Sequence, residues 1–226
     1  MLTNAELLTS DIVANSVMNR QRGLAGVNSY ERELSFDLLA FLENLSKERG
    51  RALWYDACCG EGKALIEAAN ALPRMSGRGA IRLLGVDLVD MFAPAQPPNL
   101  SLVTGDVNTF APERPADLIT CVHGIHYLGD KLGFLEHAYR HLAPGGILLA
   151  HIDISQLRFQ RGKWGDCLRP ARSGGAAIRI VSHLLKLEKN EAPLQFGACY
   201  LGATVSEKPN YTGITGIDSW YARAED

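Results

Sequence analysis

The stretch WYDACCGEGKAL, residues 54–65, constrains the fold most. It opens as the apolar strand "ALWYDA", passes through Gly60 and Gly62, and continues as the helix "GKALIEAANAL", which stops before Pro73. A strand that ends in glycines and opens a helix presents backbone N–H groups to a ligand, and small residues let that ligand lie on the main chain. The rhythm repeats downstream. "AIRLLGVDL", "LSLVTGDV", "ADLITCVHG" and "ILLAHIDI" read as strands, and "KLGFLEHAYRHL" as a helix ending at "APGG". Buried strands alternating with helices imply parallel βαβ units. "MFAPAQPPN" is too rich in proline for a full helix, so one crossover is expected to be short or irregular.

Before this region, residues 3–18 have helical character, followed by the glycine-broken "RQRGLAGVNS". A helix is expected over residues 30–47, with Leu34, Leu38, Leu39 and Leu42 along one face. After Ser155 the rhythm stops. "RFQRGKWGDCLRPARSGG" reads as a long loop around a short helix. "AIRIVSHLLKLEK" and "LQFGACYLGATV" then read as an antiparallel hairpin turning at "NEAP". The tail from Ser206 is expected to be an ordered loop or short strand.

Open α/β sheets bind ligands beyond the carboxyl ends of their strands. Asp87 in "LLGVDL" ends the second strand, where an acidic side chain can accept from two ribose hydroxyls. Asp106 in "TGDV" follows the third strand, and Asp56 lies in the first turn, where it could also serve as a plain helix cap. The formal charge of −2 argues against a nucleic-acid binder, which carries a basic stripe or patch. No apolar run approaches membrane-spanning length, and the N-terminus lacks the basic start and apolar core of a secretion signal. Five cysteines without framework spacing make a reducing cytoplasm the expected location. The sequence leaves the oligomeric state open, a homodimer among the options.

Taken together, "DACCGEG", "GVDL", "TGDV" and "LAPGGILL" resemble the successive motifs of class I S-adenosylmethionine (SAM)-dependent methyltransferases. The resemblance covers roughly residues 53–155. It implies a Rossmann-like α/β fold: a seven-stranded, mostly parallel sheet ending in a C-terminal antiparallel hairpin, here residues 177–205, under an N-terminal helical lid. Residues 1–50 would form the cap and residues 51–226 the SAM-binding domain. Cys58 stands where the family's first glycine usually lies, which restricts the turn's dihedrals.

Residue by residue, the resemblance implies that Asp56 orients the loop and meets the cofactor's amino group. Ala57, Cys58 and Gly60 would lie along the methionine part, and Asp87 would bind the ribose hydroxyls. Asp106 would accept from the adenine amino group, with the Val107 N–H on the ring. His123 would lie near the sulfonium, and Tyr30 would close over the methionyl group. Cys58 and Cys59 lack companions at metal-ligand spacing, so they read as small residues beneath a cofactor.

Methyl transfer needs a nucleophile held in line with the methyl group, and a general base only if the acceptor must first lose a proton. His123, His126 and Tyr127 follow the fourth strand and are the catalytic candidates; Asp153 is a secondary one. His137 and His141 sit four apart on a helix, a zinc-like spacing, but no nearby carboxylate completes it, so a packed or solvated face is expected. No Asn/Asp-Pro-Pro-aromatic segment follows strand four, which sets aside the nucleic-acid amino-methylating enzymes. His123 stands where catechol-type enzymes carry a metal-binding carboxylate, so no metal is expected. The leading expectation is a methyltransferase acting on a small metabolite. One alternative is a SAM-consuming cyclase that forms a four-membered cyclic amino acid (azetidine-2-carboxylate) and methylthioadenosine. The other is a SAM-binding protein without catalysis.

Overall fold

The computed structural model describes residues 1–2, 6–7, 21–72, 80–94 and 97–223. The helix expected over residues 3–18 lies outside them, apart from a helical pair at residues 6 and 7. The helix expected over 30–47 is two helices, α1 (Tyr30–Leu34) and α2 (Leu38–Arg49). Ser35 turns left-handed at φ 45° and closes α1 on the Glu31 carbonyl, and the Asp37 side chain caps α2 by accepting from Ala40 N. Both residue types favour helix ends over helix interiors because their side chains compete for backbone groups.

The elements that follow are β1 (Arg51–Ala57), α3 (Lys63–Ala71), β2 (Ala80–Asp87), β3 (Leu100–Thr104), β4 (Ala116–Cys121), a 3₁₀ turn (Gly124–Tyr127), α4 (Lys131–Arg140) and β5 (Leu142–His151). Strand β5 starts earlier than expected and takes in "APGG", because Gly145 N and the Gly146 carbonyl pair with Lys189 across the sheet. Then come a 3₁₀ turn (Ile154–Gln156), β6 (Leu157–Phe159), α5 (Trp164–Ser173), β7 (Ala177–Val181), β8 (Leu184–Glu188), β9 (Ala198–Val205) and β10 (Ile217–Arg223).

Seven strands form one sheet in the order β3-β2-β1-β4-β5-β8-β7. The first five are parallel; β8 runs antiparallel to β5, and β7 antiparallel to β8. The hairpin is therefore shorter than expected and lies wholly inside "AIRIVSHLLKLE". Its turn is the pair Ser182–His183, both with positive φ (47° and 71°), the geometry of a tight two-residue hairpin. No Asn-Gly or Asp-Gly marks it, which is why "NEAP" looked like the turn. The segment expected as the second hairpin strand instead becomes β9 of a separate three-stranded sheet, β6-β10-β9.

Strand periodicity divides the core. In β1, Leu53, Tyr55 and Ala57 enter one buried cluster with Phe134, Leu135 and Tyr139 of α4. Ala52 and Trp54 enter the other, with Leu38, Leu42 and Leu45 of α2 and Leu65 and Ala68 of α3. Each fully buried leucine of α2 stabilises the fold by about 1.5–3 kcal/mol. The expected boundary at residue 50 falls between α2 and β1, which share this core.

Lys131 ties the start of α4 to β10 of the second sheet. It is fully buried, and its Nζ donates to the Leu128 carbonyl (2.8 Å), the Ile217 carbonyl (2.7 Å) and Ser219 Oγ (3.0 Å). Burial pushes its pKa down to about 7. Between that value and the ordinary ~10.4 of an unfolded lysine, the unfolded chain binds the proton more tightly. This group's contribution to stability therefore rises with pH across that window. Lys131→Met should cost about 2–4 kcal/mol through the acceptors left bare. Urea unfolding should show the gap between native chain and variant widening from about pH 7 to about pH 9; an equal gap at both would contradict the shifted lysine.

Candidate functional site

The glycine turn follows β1. Cys58 adopts φ 60°, a left-handed conformation that costs a non-glycine residue roughly 1–2 kcal/mol. Cys59 N donates to the Val86 carbonyl (3.1 Å), and Gly62, at φ 75°, opens α3 without a side-chain cap. The turn after β4 lies against it: a Cβ added to Gly124 would come within 2.2 Å of Cys58 Cβ. A hydrogen bond to Cys121 and burial raise the Cys58 thiol well above its ordinary pKa, so it is a packed thiol rather than a reactive one.

Asp56 is buried beneath this turn at 1% exposure. Tyr30 OH donates to its Oδ2 (2.7 Å) and Thr120 Oγ1 to its Oδ1 (2.5 Å), while Trp54 Nε1 donates to Thr120 Oγ1 (2.7 Å). Burial pushes the carboxyl up to about 7, the two hydroxyl donors restrain it, and the Asp87 charge adds to the rise. Tyr30 is thus committed to Asp56, with its ring edge-on to Trp54. Asp87, half-buried at the end of β2, accepts from Gly60 N (2.9 Å) and Val89 N (3.2 Å). Asp106 accepts from Asn108 N and Nδ2, both at 2.9 Å, and Val107 beside it is buried. Two partly accessible carboxylates therefore stand at consecutive strand ends, next to a helix whose first amides lack a side-chain cap. Ala57, Cys58, Gly60, Asp87, Asp106 and Val107 occupy one sheet edge, a donor and acceptor set that suits a nucleoside bearing an amino acid.

A histidine cluster occupies the ends of β4 and β5. His123, also left-handed at φ 60°, stacks on His151 with centroids 4.4 Å apart and planes 7° apart. Both face Glu33 of α1: Glu33 Oε2 is 3.1 Å from His123 Nε2 and 3.7 Å from His151 Nε2. His123 Nε2 lies off the line of a hydrogen bond despite that distance and has no hydrogen-bond partner. Arg22 pairs with Glu33 through the other carboxylate oxygen, Oε1. Burial would raise Glu33, but His123 and Arg22 outweigh it and leave the pKa lowered. Burial lowers His123, and burial beside His123 pushes His151 down to about 4.

His126 is buried, with Nδ1 3.1 Å from Gln156 Oε1. Gln156 Nε2 donates to Ser206 Oγ (3.2 Å), Ser206 Oγ donates to Asp218 Oδ1 (2.6 Å), and Arg158 Nε donates to Asp218 Oδ2 (2.7 Å). The chain assigns the proton of His126 to Nδ1 and leaves Nε2 as a buried lone pair without a partner. Burial, with His123 and Lys131 nearby, pushes its pKa down to about 3, so the titration near 6.5 expected of an exposed histidine does not apply. Tyr127 is buried at the end of the same turn.

Asp153 accepts from Ser155 N, Ser155 Oγ and Tyr211 N and so anchors the loop that carries Tyr211. Of the C-terminal aromatic residues, Tyr211 reaches the cluster: its OH is 3.2 Å from His123 Nδ1, and its ring stacks on His183 of the hairpin turn (3.9 Å). Trp164 packs on Phe196, Trp220 donates to Thr204, and Tyr221 bonds Asp130 and Leu132 N. His137 and His141 use ring nitrogens on the Phe110 and His137 carbonyls, as expected of a packed face. Sequence reasoning missed Arg22, Glu33, His183 and Gln156. Nothing local marks them, because they meet the site only through tertiary packing.

Comparison with known proteins accords with this geometry. A family model described as a methyltransferase domain matches residues 27–179. Two trans-aconitate 2-methyltransferases of Pseudomonas aeruginosa, from strains UCBPP-PA14 and PAO1, are similar. One is 33% identical over 55% of this chain and 44% of its own length, the other 32% identical over 63% and 49%. The chain thus spans about half the length of the curated relatives it matches. Among solved structures, magnesium protoporphyrin IX methyltransferase from Synechocystis, solved with bound SAM, shares the fold at 13% identity. Its TM-score is 0.50, over 84% of this chain and 99% of that one. With the family model spanning residues 27–179, more than half of the chain, and the strand order and sheet-edge carboxylates in place, the chain belongs to the methyltransferase-domain family, in the class I SAM-dependent group its motifs resemble.

Proposed function

We propose that this chain transfers the methyl group of SAM to a small-molecule acceptor held against the histidine cluster. The observation that carries the reading is adjacency: the carboxylate-lined edge of β1–β3 meets the buried histidine cluster at the ends of β4 and β5 where Cys58 packs against Gly124. When bound, SAM supplies a methyl carbon already activated by its sulfonium. Asp87 and Asp106 hold the nucleoside, the uncapped start of α3 and the turn at residues 58–62 hold the amino-acid part, and Asp56 orients that turn. His126 Nε2 accepts a hydrogen bond from the acceptor's O–H or N–H and positions it for in-line attack. With a conjugate acid near 3, it is a weak proton acceptor and a good aligning group. The relatives' names describe a small organic acid as acceptor, so trans-aconitate belongs in the first panel of substrates.

The test is incubation with methyl-labelled SAM and a panel of small acids, phenols and amines. Demethylated cofactor appearing only with an acceptor supports transfer. Methylthioadenosine formed without acceptor would instead establish cyclisation, and neither product with any acceptor would leave a binding protein.

Two substitutions separate the roles. Asp87→Ala should weaken SAM binding by about 2–4 kcal/mol, the range for hydrogen bonds to a charged group; unchanged calorimetric affinity would remove Asp87 from the site. His126→Asn should lower turnover about 10²-fold, the scale of a misplaced acceptor, while SAM affinity stays the same. Because His126 stays neutral, turnover of the native chain should show no fall through pH 6.5 that the variant lacks. Such a limb would restore His126 as a titrating base.

A further inference from the structure

We infer that Glu33, His123 and His151 form a binding site for one divalent transition-metal ion where α1 meets the ends of β4 and β5. The three donors come from different elements: the N-terminal helix α1, the turn after β4 and the end of β5. Their ligand atoms all lie within 4.8 Å of one another. Donors about 2.1 Å from a common ion stand ~3.0 Å apart at right angles and ~3.4 Å apart in a tetrahedron. The two separations from Glu33 Oε2, 3.1 and 3.7 Å, already lie at that scale. The two imidazoles stack with planes 7° apart, so His151 turns out of that stack to aim its nitrogen at the same ion.

Independent features point to a ligand. His123 and His151 are each 3% exposed, yet His123 Nε2, the nitrogen that faces Glu33, has no hydrogen-bond partner. A buried ring nitrogen left bare is unfavourable and is relieved by a ligand. A ring nitrogen 3.1 Å from a carboxylate oxygen but off the hydrogen-bond line is disposed as a ligand beside a ligand. The surroundings have the form that supports metal ligands. Arg22 holds the other oxygen of Glu33, leaving Oε2 to the ion, and Tyr211 OH holds His123 Nδ1 and so directs Nε2 inward. Two imidazoles and a carboxylate suit Zn²⁺, Co²⁺ or Fe²⁺ and leave coordination positions open.

Those positions would take acceptor oxygens, giving an anionic or chelating acceptor a fixed orientation. That role rests on the methyl-transfer reading, whereas the binding of the ion does not. The inference replaces the sequence expectation of a metal-free site, which rested on the lack of a carboxylate after β4. The carboxylate arrives instead from α1.

The experiment titrates the chelator-treated full chain with Co²⁺, followed by visible absorption, and with Zn²⁺, followed by calorimetry. One equivalent should bind without the near-ultraviolet band of a cobalt thiolate. Glu33→Gln and His151→Ala should each weaken binding at least about 100-fold, and His137→Ala should leave it unchanged. Thermal melting of each variant checks folding. A second readout needs no variant: in the native chain, Co²⁺ should produce hyperfine-shifted ring signals from two of the six histidines. SAM affinity of the metal-stripped chain is measured alongside, so failure of the metal site and failure of the methyltransferase reading are told apart. No uptake at millimolar Co²⁺, a thiolate band, or uptake that survives both ligand substitutions would overturn the inference.

Discussion

The buried Asp56 carboxylate is the constraint on which the site depends. A carboxyl group taken out of water costs several kcal/mol unless its oxygens are matched. Here each oxygen receives one hydroxyl, Tyr30 from the N-terminal segment and Thr120 from β4, and Trp54 fixes the Thr120 hydroxyl from within β1. One side chain thereby aligns three parts of the chain that are far apart in sequence. The segment holding Tyr30 also carries Glu33 three residues on, one helical turn away. The strand holding Thr120 carries His123 just past its end. The same bonds that satisfy Asp56 therefore bring Glu33 and His123 within reach of each other.

The N-terminal segment is fastened at further points. Leu24 N donates to Glu67 Oε2 (2.6 Å) and Gln21 Nε2 to Glu61 Oε1 (3.2 Å), so it runs over the start of α3. Leu24, Tyr30 and Leu34 of the same segment are buried in the core shared with α2 and α3, so apolar packing holds it as well as polar contacts.

What was legible in the sequence was local. The glycine turn, Asp87 and Asp106 are read from strand ends, because strand alternation and turn chemistry act over a few residues. The alternation of strand and helix likewise announced the parallel sheet. The hairpin was misjudged where local signals conflict with pairing. Ser182 and His183 carry no turn signature, and β9 has the alternation of any strand, yet it pairs with β10 and not with the main sheet. The histidines after β4 were visible as candidates, but their chemistry was not. Whether a histidine titrates, aligns or ligates depends on Glu33, Gln156 and Tyr211, which lie 90, 30 and 88 positions away from their partners and become neighbours only in the fold.

The second sheet explains why the cluster is rigid on one side. Gln156 precedes β6, Ser206 follows β9 and Asp218 lies in β10, so the chain of hydrogen bonds from His126 crosses the whole three-stranded sheet before reaching the surface at Arg158. Gly216 makes this path possible, since a Cβ there would lie 2.4 Å from Gln156 Nε2 and 2.9 Å from the His126 carbonyl. Each link uses the donor its neighbour lacks, so reversing one amide would orphan two buried groups. On the other side, Glu33 and Arg22 belong to the N-terminal segment, which enters the core through Leu24, Tyr30 and Leu34. The cluster thus lies between two walls, one that sets the orientation of His126 and one that carries Glu33.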